Sequence, residues 1–219
     1  MPALVVDPWV RWDWVGEHRD VILAALVQHV ELTVIAVGAG LVISLPAGAL
    51  AARVRAARGP VLGGAGVLYT IPSLALFAFF VPLTGLSVLT AEVGLVAYTL
   101  LILTRNVVVG LEGVPAEVED AAVGMGFRPL HRLIAVELPL ALPVIVAGIR
   151  IAVVTTIGLV TVTAVIGAGG LGQLILDGLT RQFRTPLVVG GVLSVALAVV
   201  ADLGLALLQR RLTPWSRWR

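Results

Sequence analysis

The chain has 219 residues with a formal net charge of +2, and 59% of its residues are hydrophobic while only 13% are charged. Soluble domains are typically about 45–50% apolar with roughly 25% charged residues, so the composition excludes a soluble domain and indicates an integral membrane protein. All 15 basic residues are arginine and cysteine is absent, which excludes a phosphate-binding P-loop with its lysine and excludes disulfide or thiolate chemistry. The arginines are spread over several loops, which favours a role in membrane orientation over binding of nucleic acid.

Residues 1–29 are predicted to form an external arm and a short helix. The arm, residues 1–16, carries three tryptophans of the kind that anchor proteins at the membrane interface, namely Trp9, Trp12 and Trp14. Residues 17–29 have apolar side chains on one side and charged ones elsewhere, which is typical of an amphipathic helix. The remaining residues, 30–219, are predicted to form a single transmembrane domain.

Five apolar segments are long enough to cross a membrane, because a spanning helix needs roughly 20 apolar residues. They lie at about 30–52, 60–83, 91–110, 137–166 and 186–208. The second is interrupted around Pro72, which removes one backbone hydrogen bond and kinks the helix. Such a break is tolerated where neighbouring helices or a cavity cover it. It is either a packing kink or a part of a translocation path.

The fourth segment is longer than the core of a bilayer. Thirty residues rise roughly 45 Å, against a hydrocarbon core about 30 Å thick, so we expect its first turns, with Pro139 and Pro143, to stand outside the bilayer. It ends in residues 167–172, Gly-Ala-Gly-Gly-Leu-Gly, which match a dinucleotide-binding pattern but lack the βαβ unit around it. We interpret these residues as a flexible turn before a short helix, 171–182.

The distribution of arginine predicts which loops face the cytoplasm. Five spans place the two chain ends on opposite sides of the membrane. The side of the C-terminus has nine arginines, namely Arg53, Arg55, Arg58, Arg128, Arg132, Arg210, Arg211, Arg217 and Arg219. The other side has four, namely Arg11, Arg19, Arg181 and Arg184. The positive-inside rule therefore predicts an external N-terminus, a cytoplasmic C-terminus and a cytoplasmic loop at 112–138.

The polar loop between the third and fourth spans has the pattern of two short helices. Pro115 opens a predicted helix that has acids in its first turn and runs to Gly124. Gly124 and Gly126 break this helix, and Pro129 can start a second one. Two short helices that meet at a glycine beside a membrane make a compact projection suited to docking in a groove of a partner.

This loop resembles the EAA loop of binding-protein-dependent ABC importer permeases. The family motif is Glu-Ala-Ala, three residues, Gly, nine residues, Ile, one residue and Leu-Pro. At those positions the chain has Asp120-Ala121-Ala122, Gly126, Val136 and Leu138-Pro139, so that Asp replaces Glu and Val replaces Ile. A shift of one residue would instead make Glu119 the carboxylate of the motif. The residues that the resemblance assigns to coupling with an ATPase are Glu119, Asp120, Ala121, Ala122, Gly124, Gly126, Leu138 and Pro139.

The similarity extends over nearly the whole chain and looks like the osmoprotectant branch of these permeases. That branch imports compatible quaternary amines such as glycine betaine, carnitine and choline. The matching stretches are residues 69–76, 103–110, 147–150 and 166–172, of which the last is strongly characteristic of the branch. Methionine and aliphatic-sulfonate permeases share the loop and part of the glycine stretch, so methionine or another amino acid is the alternative substrate.

The resemblance implies an all-α type I ABC importer permease with five transmembrane helices in a bacterial plasma membrane. Two permease subunits, identical or related, would form the pathway, two ATPase subunits would dock on their loops, and an external binding protein would deliver the substrate. The chain would then be no enzyme: it would bind no cofactor, and ATP and Mg²⁺ would act on the partner ATPase, whose hydrolysis drives alternating access. In agreement with this, the three histidines have no metal-ligand spacing and no set of residues is arranged for catalysis.

Charged groups within apolar segments are costly and mark candidate functional residues. An inner-leaflet ion pair between Asp202 and either Arg150 or Arg105 is one interpretation, and a gating role is the other. With the interruption of the second span, the candidate pathway or gate residues are Tyr69, Pro72, Ser73, Arg105, Arg150 and Asp202. The rival class is an ATP-independent channel or secondary transporter, which leaves the two-helix loop unexplained.

Overall fold

The computed structural model describes residues 8–215, and these residues form helices and turns without any strand. The helices are α1 (Trp12–Glu17), α2 (Arg19–Arg53), α3 (Arg55–Thr70), α4 (Ser73–Thr84), α5 (Val88–Glu112), α6 (Ala116–Gly124), α7 (Pro129–Arg132), α8 (Leu138–Val162), α9 (Leu171–Thr180) and α10 (Arg184–Leu212). A π-helical turn, Leu133–Glu137, precedes α8, and a 3₁₀ turn, Thr163–Ile166, follows it. The first seven residues of the predicted arm, and Arg217 and Arg219 of the tail, lie outside the described residues.

Four continuous helices of the described chain are long and apolar enough to cross a membrane, namely α2, α5, the 38-residue helix Pro129–Ile166 that contains α8, and α10. Helices α3 and α4 are long and apolar enough to make a fifth span when they are counted together, and they are bent by 95° at the break between them. The predicted kink in this segment is thus a complete break between two helices. Pro72 occupies the N-cap position of α4. The N–H groups at the start of a helix have no intrahelical acceptor, so the N–H that proline lacks costs α4 no hydrogen bond.

Helix α2 joins two elements that the sequence analysis separates. From Arg19 onward, the predicted amphipathic helix 17–29 and the predicted span 30–52 form one helix of 35 residues, because neither glycine nor proline occurs between Arg19 and Val37. At 1.5 Å per residue it is about 52 Å long. Its length exceeds the hydrocarbon core by about 20 Å. The side chain of Ile22, on the expected apolar side, packs with Leu171 and Leu174 of α9.

The core of the molecule forms where α2, α5 and α8 pack together. Glycines allow close approach of the helices: a Cβ atom on Gly48 would lie 2.6 Å from Cγ1 of Val107, and one on Gly148 would overlap Asn106. Because Gly40 faces Thr99 just as Gly48 faces Val107, α2 and α5 run in the same direction. Both therefore end on the side of the α5–α8 loop (residues 113–137), which we call the loop end of the bundle.

The last helix also ends at the loop end. Gln209 Nε2, near the end of α10, donates a hydrogen bond of 3.0 Å to the carbonyl oxygen of Pro143, near the start of α8. Asp202 pairs with Arg150, which lies further along α8. Helices α8 and α10 are thus antiparallel, and the start of α2 and the end of α10 lie at opposite ends of the bundle. This is the arrangement of chain ends that five spans require.

The glycine stretch 167–172 forms the predicted turn, but it is firmly held. Gly167 and Gly170 have φ angles of 82° and 49°, the left-handed region that glycine adopts readily. The Gly170 N–H donates to Gln28 Oε1 at 3.1 Å, and the Leu171 N–H donates to His29 Nδ1 at 3.3 Å. His29 Nε2 in turn donates to the carbonyl oxygen of Ile157 at 3.0 Å. This fully buried histidine thus connects α2, α8 and the start of α9.

The contact at Gly170 predicts a large effect of adding one methyl group. In Gly170→Ala the new Cβ would lie 2.8 Å from Cα of His29, and the positive φ angle adds about 1–2 kcal/mol of strain. We expect a melting temperature lowered by several degrees in detergent. Gly191→Ala is the matched control, because Gly191 lies in α10 with no atom within 4 Å of an added Cβ. Equal melting temperatures for the two variants would show that the turn yields to the methyl group.

Candidate functional site

The α5–α8 loop begins with the helix predicted from its sequence. Helix α6 spans Ala116–Gly124, with Pro115 at its N-cap position and Glu117 and Glu119 in its first turn. The carbonyl oxygen of Pro115 accepts from the N–H of Val118 at 3.0 Å. Acidic side chains in a first turn interact favourably with the positive end of the helix dipole.

Gly126 forms the turn that follows α6, and its backbone conformation is the reason that a glycine stands there. Its φ angle is 82°. Its N–H donates to the carbonyl oxygen of Val123 at 2.9 Å, and the N–H of Phe127 donates to that of Ala122 at 3.1 Å. This is the pattern of a Schellman motif with glycine in the left-handed position. A Cβ atom on Gly126 would meet nothing within 4 Å, so the constraint on this residue is its φ angle and not a clash.

The second half of the loop continues directly into a spanning helix. Pro129 opens the short helix α7, and the ring of His131 stacks on Phe127 with centroids 4.6 Å apart. The π-helical turn then leads without interruption into α8, where Leu138 and Pro139 occupy the first positions. The loop is thus rigidly continuous with α8. The whole helix Pro129–Ile166 has 38 residues, more than a bilayer core requires, and the position of Pro139 and Pro143 outside the bilayer stays a prediction.

The predicted coupling residues occupy different environments in the loop. Ala122 is only 1% exposed, and Glu119 and Leu138 are half-buried. Five others are exposed, namely Asp120, Ala121, Gly124, Gly126 and Pro139. Glu119 faces a polar cavity of about 420 Å³ under the loop, lined by Ala52, Arg53, Leu111, Glu112, Glu119, Arg132 and Glu137. Of the two carboxylates predicted for the motif, Asp120 is therefore the more exposed one.

Large apolar side chains of the loop are exposed although the loop lies at the end of the bundle. Val123 is 55% exposed, Met125 69%, Leu130 66% and Ile134 58%. Exposed apolar groups on a projecting helical segment are typical of a surface that binds another protein. Their role was not predicted above, although one methionine and three aliphatic residues in an otherwise polar loop are a signal that the sequence contains.

Ion pairs that the sequence analysis missed connect the helix ends beneath the loop. Glu137, whose side chain is 5% exposed, accepts from Arg53 Nη2 at 2.8 Å and from Arg132 Nε at 2.6 Å. Arg58 of α3 pairs with Glu112 at the end of α5. These contacts cannot be predicted from the spacing of residues in the sequence, because Arg53 and Glu137 are 84 positions apart.

The candidate pathway residues fall into separate groups. At the break of the second span, the ring of Tyr69 meets that of Tyr98 at a centroid distance of 5.7 Å, and the Tyr98 hydroxyl donates to the carbonyl oxygen of Ile71. Pro72 is exposed and Ser73 is half-buried. The carbonyl group freed by the break is thus satisfied by a side chain of α5, as a broken span requires.

The ion pair in the apolar spans joins α8 to α10. Arg150 Nε and Nη2 donate to the two carboxylate oxygens of Asp202, both at 2.9 Å, and Arg150 Nη1 donates to Gln209 Oε1 at 3.3 Å. The pair lies beside an open groove of about 650 Å³ that is otherwise largely apolar. Arg105 is exposed on α5, and no ion pair or hydrogen bond within the described chain connects it to this pair.

Comparison with known proteins identifies the family. Residues 44–214 match the family described as binding-protein-dependent transport system inner membrane component. The osmoprotectant import permease protein OsmW of Salmonella typhimurium is 43% identical over 192 residues, covering 85% of this chain and 89% of the relative. The choline transport system permease protein OpuBB of Bacillus subtilis is 38% identical over 188 residues, covering 85% and 86%. The chain belongs to this family of ABC importer permeases.

A solved structure supports the same fold. An inward-facing structure of the MetNI methionine ABC transporter matches with a TM-score of 0.77 and 25% sequence identity, over 86% of this chain and 94% of that chain. The all-α type I permease fold expected from the sequence is therefore confirmed.

Proposed function

We propose that the chain is the transmembrane permease of an ATP-driven importer of quaternary-ammonium osmoprotectants. The observation that carries the proposal is the α5–α8 loop, a two-helix segment with exposed apolar side chains that continues directly into a spanning helix. Such a segment transmits force between a docked partner and the membrane domain. The choice of substrate is supported by the osmoprotectant and choline permeases, whose sequence identities of 43% and 38% exceed the 25% for the methionine transporter.

The proposal includes the partners and the orientation. Two ATPase subunits bind the loops of two permease subunits, identical or related, and hold ATP and Mg²⁺, while an external binding protein delivers the substrate. The arginine distribution supports a cytoplasmic loop end in a bacterial inner membrane. The predicted domain division, with an external segment 1–29 before the permease domain 30–219, is part of the same proposal. Asp120 and its neighbours contact the ATPase, and the break at Pro72 and the Arg150–Asp202 pair lie on or beside the pathway.

A second candidate substrate is an amino acid such as methionine, which the structural similarity to MetNI favours. The binding protein decides between the two substrates, because selectivity in such importers lies largely there. We expect the binding protein that stimulates ATP hydrolysis by the reconstituted complex to bind glycine betaine, carnitine or choline in calorimetric titrations and to ignore methionine. The reverse pattern would overturn the substrate and leave the transporter assignment intact.

A further inference from the structure

Glu137 is a buried carboxylate with both oxygens engaged by arginines. Oε1 accepts from Arg132 Nε at 2.6 Å, and Oε2 accepts from Arg53 Nη2 at 2.8 Å. The side chain of Glu137 is 5% exposed, against 32% for Arg53 and 22% for Arg132. Charge-assisted hydrogen bonds of this length are stronger than neutral ones, and solvent screens them less at a buried group. We call these three residues the Glu137 clamp.

The clamp joins three separate elements. Arg53 is the last residue of α2, Arg132 is the last residue of α7, and Glu137 is the last residue of the π-helical turn before α8. The same Arg53 nitrogen lies 3.5 Å from the carbonyl oxygen of Pro129, the first residue of α7. The end of α2 is therefore fastened to the second helix of the loop and to the start of α8.

The π-helical turn makes this geometry available. Arg132 and Glu137 are five positions apart, a spacing that places side chains on different faces of a regular α-helix, where neighbours are three or four residues apart. A π-helical turn bonds residue i to residue i+5 and brings such side chains together. Single π-turns occur often at functional sites. Here the turn aims Glu137 back at α7 and across at α2.

Helix α2 can carry a displacement far from the loop. It runs as one helix from Arg19 to Arg53, with Pro46 inside it near the loop end, and is about 52 Å long. Near its other end, His29 bonds the start of α9 and the carbonyl oxygen of Ile157 in α8. A movement of the α2 end at Arg53 therefore reaches the glycine turn 167–172 through directly bonded groups.

We propose that the Glu137 clamp is a positioning device that makes α2 move together with the α5–α8 loop, so that force from the ATPase reaches α2 as well as α5 and α8, the two helices that the loop joins covalently. The proposal rests on the proposed function, since it concerns how the docked loop acts on the spans. Glu137, Arg53 and Arg132 are positioning residues that act through the loop. None of the three residues is at a position that the EAA motif specifies.

A first experiment removes the central charge. Glu137→Gln keeps the shape of the side chain but removes its negative charge and replaces one acceptor oxygen by an NH2 donor, so that the side chain can accept from only one of the two arginines and forms no ion pair. In proteoliposomes with the ATPase and binding protein, we expect transport per ATP hydrolysed to fall about tenfold, within the range of known coupling energies, while basal ATP hydrolysis persists. Arg58→Gln is the matched control, because it breaks the other ion pair beneath the loop, whose partners are 49% and 36% exposed. It should change the ratio less than about twofold. An unchanged ratio in Glu137→Gln would overturn the proposal.

A second experiment replaces the clamp by a covalent link. The chain has no cysteine, so an Arg53→Cys, Glu137→Cys pair reacts alone in this subunit. Before cross-linking, we expect the same loss of coupling as in Glu137→Gln. A short flexible bifunctional thiol reagent should restore transport per ATP to within about threefold of wild type, whereas the single-cysteine variants should gain nothing. Failure of the cross-link to restore coupling, or inhibition by it, would contradict a permanent link between α2 and the loop.

Two controls separate the possible failures. If the variants co-purify with the ATPase and keep the wild-type melting temperature, a fall in transport per ATP hydrolysed is not caused by failed assembly. If Glu137→Gln does not assemble, the test of the clamp is the restoration of coupling in the cross-linked cysteine pair. If the wild-type complex itself shows no ATP-driven transport, the proposed function fails. Coupled wild-type transport with an unaffected Glu137→Gln variant refutes only the clamp.

Discussion

In Gly126→Val, ATP-driven transport is expected to fall roughly tenfold while the permease remains inserted in the membrane. Gly126 has a φ angle of 82°, and a non-glycine residue in that conformation costs about 1–2 kcal/mol, more when it is β-branched. About 1.4 kcal/mol corresponds to a factor of ten in an equilibrium constant. The variant should therefore populate loops in which the Schellman turn is open and the exposed face of α6 no longer matches its partner.

The loop provides its own controls for this prediction. Gly124 lies two positions earlier in helical conformation, with open space around it, so Gly124→Ala should transport normally. Asparagine tolerates the left-handed conformation better than valine, and Gly126→Asn should lie between valine and wild type. Transport per ATP hydrolysed and binding of the ATPase should follow the same order. Equal activity of the valine and wild-type proteins would refute the role assigned to the turn.

In Asp202→Leu, the yield and melting temperature of the permease are expected to fall markedly. The substitution leaves the Arg150 guanidinium in a spanning helix with the amide oxygen of Gln209 as its one remaining partner among residues 8–215. An arginine at the centre of a membrane helix costs about 2.5–3.5 kcal/mol on insertion scales. Removing one member of an ion pair is more harmful than removing both. The double variant Arg150→Leu, Asp202→Leu should therefore recover most of the lost stability.

Transport by the double variant distinguishes the two interpretations of the pair. If the ion pair serves only to hold α8 against α10, the stable double variant transports at a rate near that of wild type. If the pair opens during the cycle, the variant is stable but transports slowly. A melting temperature of Asp202→Leu equal to that of wild type would contradict both interpretations, because it would show that the charge of Arg150 needs no partner.

Features that depend on residues close together in the chain, such as the positions of the spans and the ends of α6, could be predicted from the sequence. Apolar length located the spans, and Pro115 and Gly126 marked the start and end of α6, because proline and glycine restrict or release the backbone itself. The alternative partners of Asp202 were limited to two arginines, since charges in apolar segments must find each other. The structure selected Arg150.

Features that depend on how distant segments of the chain pack together could not be predicted from the sequence. The 95° bend at Pro72 depends on what packs against both halves, and a proline alone predicts only a kink. The continuity of α2 was missed because an amphipathic start and an apolar continuation differ in composition but not in helix propensity. The Glu137 clamp combines a contact across 84 positions with a π-helical turn, and neither has a sequence signature.

Uptake of labelled osmoprotectant by proteoliposomes that contain the permease, its ATPase and its binding protein tests whether the chain is an ATP-driven importer of these solutes. We expect uptake of glycine betaine, carnitine or choline that requires ATP and the binding protein, falls about tenfold in Gly126→Val and is unchanged in Gly124→Ala. Uptake by the permease alone, without ATP or an ATPase, would contradict this expectation and would identify a channel or secondary transporter.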